Sequence, residues 1–323
     1  MNQIIKNYTK KAITGLLLLC SHQTIIAQDM QVYQLNDDIT LDSRISVGVQ
    51  SMIADEYLHD KMLNHTVSKL IWDTDSLAMA GIGASLHFQE LYTLNIDYWF
   101  SINQSDTTMT DYDWMIPGFN GKNDWTHRSI HRDTDVSSAS SFDISAEFKT
   151  LELSSTTLST LIGYRQDKAK RKAYGGEYIY SEEYFRDSVG KFRDGILGIS
   201  YEQTWKSAYL GFKTNTSITN VLTFNTKFIY APSARGKTVD THHLRDIFGK
   251  TTLDNTTMYT IDLGFDYKIS HLLTFNFNYM YQKYDTTEGD LKWYEGGQVE
   301  YLRDYSRSNL KTSLVSISLD YKF

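Results

Sequence analysis

The sequence predicts an all-β protein, a ten-stranded antiparallel transmembrane β-barrel with long extracellular loops and short periplasmic turns. Three observations lead there. Apolar and polar residues alternate with a period of two in segment after segment. The connections between these segments are short and long in turn, as in outer-membrane barrels. The composition suits ordered strands, because 14% of the 323 residues are aromatic, 23 are Tyr and only two are Pro. After the N-terminus no stretch approaches the roughly 20 apolar residues of a spanning helix. A soluble barrel or sandwich is the alternative, with its apolar face turned inward and more Gly and Pro in its turns.

The chain opens with a segment read as a secretory signal, residues 1–27. Lys6, Lys10 and Lys11 supply its basic start, Ala12 to Cys20 its short apolar run, and Ala27 a small residue before the cut. Residues 28–323 then form the barrel domain. Cys20 is the only cysteine, so an internal disulfide and a cysteine zinc site are both excluded. The net charge of −7 argues against a nucleic-acid partner.

The strands are expected at about 39–57, 68–88, 91–106, 139–152, 157–180, 196–214, 222–240, 257–269, 273–287 and 308–323. The last shows the pattern most plainly: Val315, Ile317, Leu319, Tyr321 and Phe323 alternate with Ser316, Ser318, Asp320 and Lys322. One face suits lipid and the other a polar lumen. Leu94, Ile96, Tyr98 and Phe100 alternate with Asn95 and Asp97, and Leu273, Phe275, Phe277 and Tyr279 with Thr274, Asn276 and Asn278. Short turns fall near Gln89-Glu90, Ser154-Ser155, Thr219-Asn220 and Ser270-His271. The long loops cover 58–67, 107–138, 181–195, 241–256 and 288–307.

Three groups of residues carry candidate chemistry. Asp111 and Asp113 are two apart, so both carboxylates face one side of an extended chain. Their proximity raises one pKa, and such a pair can hold or polarise a water. A polar loop or a weak cation site is the competing account. Asp240 and His242 share the same spacing, and a carboxylate beside an imidazole orients it and raises its basicity. A plain surface loop competes there. Glu56 sits on the lumenal phase of the first strand, where it is either a receptor for a cationic side chain or an ordinary lining acid. There is no serine-nucleophile elbow, phosphate loop or HExxH motif.

With these residues in view, the chain resembles the omptin family of outer-membrane proteases. The resemblance runs from about Ile39 to Phe323. It rests on DYDWM (111–115), the run from Trp125 to Thr134, GGEYIYSEEYFRDSVGKF (175–192), DTHHLRD (240–246), QKYD (282–285) and LDYKF (319–323). It implies an endopeptidase in which Asp111 and Asp113 face the dyad of Asp240 and His242 across an extracellular cleft. Water attacks directly, with no covalent intermediate, no metal and no cofactor. It further implies that Glu56 receives a basic P1 side chain of a protein or peptide substrate. Lipopolysaccharide is the implied activating lipid, and the family's motif for it falls on Tyr164, Gln166 and Lys168. A non-enzymatic barrel, an adhesin or small porin, is the other reading.

The chain departs from the family in several places. Thr238 stands where a second acid for the P1 side chain is usual. His127 and Arg128 replace two acids of the cleft rim. Gln166 and Lys168 replace Glu and Arg, and Thr204 replaces an Arg on the neighbouring strand. There is also a conflict of phase. The strand 222–240 carries its apolar residues on even positions, yet Asp240 and His242 are even. A bulge at Pro232 or Gly236 is needed to turn the dyad inward.

Overall fold

The computed structural model describes residues 39–103, 105–116 and 123–323, and the signal reading of residues 1–27 lies outside them. Among the described residues there is no helix, and thirteen strands account for nearly all of the chain. They are β1 (Ile39–Asp60), β2 (His65–Phe88), β3 (Tyr92–Ser101), β4 (Asp106–Asp113), β5 (His127–Glu152), β6 (Thr156–Tyr174) and β7 (Glu177–Tyr180). β8 (Ser188–Lys191), β9 (Leu197–Ser217), β10 (Leu222–His242), β11 (Ile247–Lys268), β12 (Leu273–Glu295) and β13 (Gln298–Lys322) complete the set.

The ring has ten places, the number expected. Neighbours pair antiparallel in the order β3, β2, β1, β13, β12, β11, β10, β9, β6, β5, and β3 pairs β5 to close the circle. β4 continues the place of β3 upward, because it pairs the same two neighbours, β2 and β5. β7 and β8 form a hairpin that rides on the top of β5. Closure leaves the ten-stranded ring no free edge, which is what lets a sheet stand in hydrocarbon.

The outward face shows where the lipid lies. Tyr92, Phe148 and Tyr267 form a lower row of exposed aromatics, and Tyr98, Phe100, Tyr164, Tyr230 and Tyr279 an upper one. Between them Leu94, Ile96, Ile144, Ile162, Leu210, Ile261 and Leu263 are exposed. Aromatic girdles flanking an aliphatic band are the signature of a bilayer-spanning barrel.

The strands run far past the upper girdle, which corrects the expected loops. Of 107–138, residues Asp106–Asp113 and His127 onward are strand. β11 begins at Ile247, and β12 and β13 extend to Glu295 and Gln298 around a tight Gly296-Gly297 turn in the left-handed region. The long connections are mostly barrel wall standing above the membrane. The fifth expected strand, 157–180, is also divided. Gly175 and Gly176 break it with φ of 52° and 111°, and a Cβ at Gly176 would lie 2.7 Å from the ring of His131. Only glycine permits this path, which turns the chain into the β7–β8 hairpin.

The lumen is closed at mid-height by side chains reaching across it. Trp72 of β2 stacks on Tyr201 of β9, with ring centroids 5.7 Å apart, and Trp205 of β9 stacks on Tyr284 of β12 at 4.8 Å. Neither pair comes from neighbouring strands, so each contact bridges the bore. Tyr284 and Gln282 both donate to Asp167 of β6 in the same layer. Beneath lies a polar cavity of about 760 Å³, lined by Arg44, Asp97, Asp143, Arg165, Lys227 and Asp262 among others. The seal separates this lower chamber from the cleft above.

Candidate active site

The conflict of phase on β10 is resolved at Pro232. Ile229 and Ala231 face inward on odd positions, and Ala234, Gly236, Thr238, Asp240 and His242 face inward on even ones. The pairing with β9 steps from Tyr230–Leu210 to Ala234–Ser207, so β10 carries one extra residue there. Proline has no N–H to give a ladder, which makes Pro232-Ser233 the natural place for the bulge. His242 lies 12 positions beyond Tyr230 on the same strand. With a rise of about 3.3 Å per residue and a tilt near 45°, the dyad stands on the order of 25–30 Å above the upper girdle.

The dyad is formed. Nε2 of His242 lies 2.8 Å from Oδ2 of Asp240, and both side chains are buried. Asp240 raises the imidazole's proton affinity against the opposing cost of burial, and the net shift is upward. A third group completes the arrangement: Nη2 of Arg245 donates to Nδ1 of His242 at 2.7 Å.

The carboxylate pair faces it from the other wall. Asp111 is buried on β4, and Ser68 Oγ of β2 donates to its Oδ1 at 3.3 Å. Burial, then the charge of Asp113, pushes the Asp111 carboxyl well above the usual range, while His242 across the cleft pulls it down. Asp113 is raised too, chiefly by burial. Two neighbouring carboxylates in a desolvated site share a proton rather than ionise together.

Glu56 lies below, 5% exposed, with Oε2 lacking any hydrogen-bond partner. It shares a row with Asp111, because Glu56 pairs Leu70 and Leu70 pairs Asp111. Burial raises its pKa well above normal, helped by the charges of Asp240 and Asp111. Thr238 is buried on β10, paired with Gln203 of β9.

Two groups at the site carried no signal of role in the sequence reading. Tyr180 belongs to the GGEYIYS stretch, and its hairpin brings it to the Asp pair. Burial and the charges of Asp111 and Asp113 raise its phenol pKa, so the O–H keeps its proton. Arg245 sits in the turn between β10 and β11, a position that period-two reasoning leaves blank. On the rim, the His127 ring lies 4.9 Å from that of Tyr180, and the guanidinium groups of Arg128 and Arg186 lie over Trp125 at 4.8 and 3.5 Å.

Tyr164, Gln166 and Lys168 lie on the outer face of β6, Tyr164 in the upper girdle and Lys168 exposed above it. Lys206 pairs Gln166, and Thr204 pairs Lys168.

The residues from 36 to 323 match the Omptin family. The chain belongs to the omptin family. It is 28% identical over 230 residues to the outer membrane protease OmpP of Escherichia coli strain K12, spanning 71% of this chain and 72% of that protein. It is 25% identical over 296 residues to the plasminogen activator of Yersinia pestis, spanning 90% and 93% of the two chains. Among solved structures, the outer membrane protease OmpT from Escherichia coli superposes with a TM-score of 0.84 at 21% identity, covering 92% of this chain and 99% of that one. This omptin is accordingly an outer-membrane protease on a transmembrane barrel.

Proposed function

We propose that this omptin hydrolyses extracellular peptide bonds by direct attack of water, with Asp240 and His242 as the activating dyad. The observation that carries the reading is the 2.8 Å contact of Asp240 with His242, opposite a buried carboxylate pair whose proton affinity is raised. A water between the walls gives its proton to His242, and Asp240 stabilises the imidazolium that forms. The proton shared by Asp111 and Asp113 is a donor to the oxygen that becomes negative in the tetrahedral intermediate, and the protonated phenol of Tyr180 beside them is another. His242 then returns its proton to the leaving amine.

Glu56 gives the reading its preference for a basic P1 residue. Its unpartnered oxygen in a buried pocket is the acceptor a guanidinium or ammonium needs, through charge-assisted hydrogen bonds. With Thr238 as the second wall, the pocket offers one carboxylate rather than two. Lipopolysaccharide is proposed as activator at Tyr164, Gln166 and Lys168. The support is an aromatic at the girdle with Lys168 and Lys206 just above it, at the level of lipid phosphates. The stacked pairs across the bore disfavour a porin.

The test is cleavage of a mixed peptide library by refolded protein, with and without lipopolysaccharide, beside Asp111→Ala and His242→Ala. Cuts after Arg or Lys that disappear in both variants support the reading. Cuts that persist in a folded His242→Ala protein would sink it.

A further inference from the structure

The contact between Arg245 and His242 blocks the group that the proposed mechanism most needs. Arginine has five N–H donors and no acceptor, and it does not lose its proton in proteins. The nitrogen it touches at 2.7 Å, Nδ1, must therefore be bare, and the ring proton sits on Nε2, facing Asp240 at 2.8 Å. Both ring nitrogens are thus engaged, and no lone pair is left for a water.

The hold is a light one. Arg245 is an exposed residue of the 243–246 turn, anchored through its backbone N–H to the carbonyl of His242 at 3.2 Å. Among the described residues its guanidinium makes no ion pair within 4 Å, the carboxylates of Asp111 and Asp113 act on it only from further off, and the imidazole nitrogen is a neutral acceptor. A carboxylate offers the same guanidinium two charge-assisted bonds in place of one neutral one. The opposite rim carries His127, Arg128 and Arg186. An acidic side chain at the rim, above the carboxylates of the site, therefore meets Arg245 on one wall and Arg128 and Arg186 on the other.

We infer that Arg245 is a latch on the base nitrogen of His242, and that an acidic substrate residue beside the scissile bond draws it away and frees the base. Arg245 is here a specificity-determining residue. The inference rests on the catalytic reading above and names the substrates it acts on best, peptides with a basic residue followed closely by an acidic one. The latch also responds to pH, since a protonated imidazole presents a donor where Arg245 needs an acceptor. The charged groups facing His242 are Asp240 on β10, Asp111 and Asp113 on β4, His131 on β5 and Arg245 itself. The carboxylates favour the imidazolium, while Arg245 and His131 oppose it.

The experiment uses the refolded full-length barrel with lipopolysaccharide and three fluorogenic peptides, identical but for Glu, Ala or Lys after the cleaved Arg. Wild type is compared with R245A and R245Q, each shown to be folded by its heat-dependent gel mobility. Wild type is expected to rank Glu above Ala above Lys, by about tenfold between the extremes. In both variants the Glu and Ala peptides should become equal. The Ala peptide should be cut several-fold faster than by wild type, and the acid limb of its kcat/KM profile should move to higher pH. A uniform loss on all three peptides with an unmoved acid limb would overturn the latch, since it would make Arg245 a structural or transition-state group. So would a Glu preference that survives in R245A. If folded wild type cleaves none of the peptides, the catalytic reading falls and the latch with it.

Discussion

Replacing Asp240 by Asn separates the charge of the dyad from its shape. The amide oxygen of Asn can still accept from Nε2 of His242 at the 2.8 Å spacing, so the ring keeps its orientation. What is lost is the attraction between carboxylate and imidazolium. For unit charges about 4 Å apart at an effective dielectric near 20 this is about 4 kcal/mol. Burial of both side chains opposes it, so the net loss falls in the range of a charged hydrogen bond, about 1.5–3 kcal/mol. That corresponds to a roughly 10- to 150-fold fall in kcat/KM. The direction of the pH effect follows from the same term. Asp240 raises the proton affinity of His242, so removing its charge lowers that affinity. The acid limb of the kcat/KM profile, where His242 is lost to protonation, therefore moves to lower pH even as the plateau falls. The assay is steady-state cleavage of one Arg-P1 peptide from about pH 4 to 9. An acid limb that stays in place, or moves to higher pH, would refute the assignment of His242 as the base oriented by Asp240.

Three further outcomes follow from other parts of the wall. Glu56→Gln removes the single acid of the P1 pocket and should raise KM for Arg-P1 peptides by about tenfold or more. Because its carboxyl is held above the usual range, wild-type affinity for a cationic P1 should weaken as pH falls through that raised value. The variant should lose this dependence, and its persistence in Glu56→Gln would show that another group binds P1. Deleting Ser233 restores strict alternation to β10 and turns Asp240 and His242 outward. The barrel should still fold, with cleavage no higher than that of His242→Ala, and activity above about a tenth of wild type would count against the bulge. Arg171 is 1% exposed, with Gln203 Oε1 at 3.3 Å and Met52 Sδ at 3.9 Å as its hydrogen-bond partners among the described residues, and burial lowers its pKa to about 10. Arg171→Met should therefore raise stability in urea titrations followed by tryptophan fluorescence, by about 1–4 kcal/mol. A loss of stability would reveal a counter-charge.

The barrel was legible because lipid enforces alternation on every strand it touches. Where lipid ends, so does the signal. Residues 127–138 are strand, yet they carry His, Arg and Asp on both faces, since the outside of the wall is there in water. Residues 247–256 and most of 288–307 are likewise strand, with Lys250, Asp254 and Lys292 among the exposed outward residues. The need for a bulge was visible because Asp240 and His242 contradicted the phase of their own strand, and proline chemistry marked the place. Asp111, Asp113 and Glu56 were found through phase and spacing, which survive short interruptions of a strand. Tyr180 and Arg245 were not, because one reaches the site through a hairpin set by two glycines and the other through a turn. Neither path has a period.

The pairing of β1 with β13, from Asp42–Lys322 to Leu58–Ser306, is the seam on which the cleft depends. The cleft draws Glu56 from the first strand, the Asp pair from β4 and the dyad from β10, and these walls face one another only when the circle is shut. β13, which shuts it against β1, follows all of these residues in the chain. An unclosed chain therefore carries all of these side chains without their juxtaposition. The site is thus a property of the closed ring rather than of any one strand or hairpin.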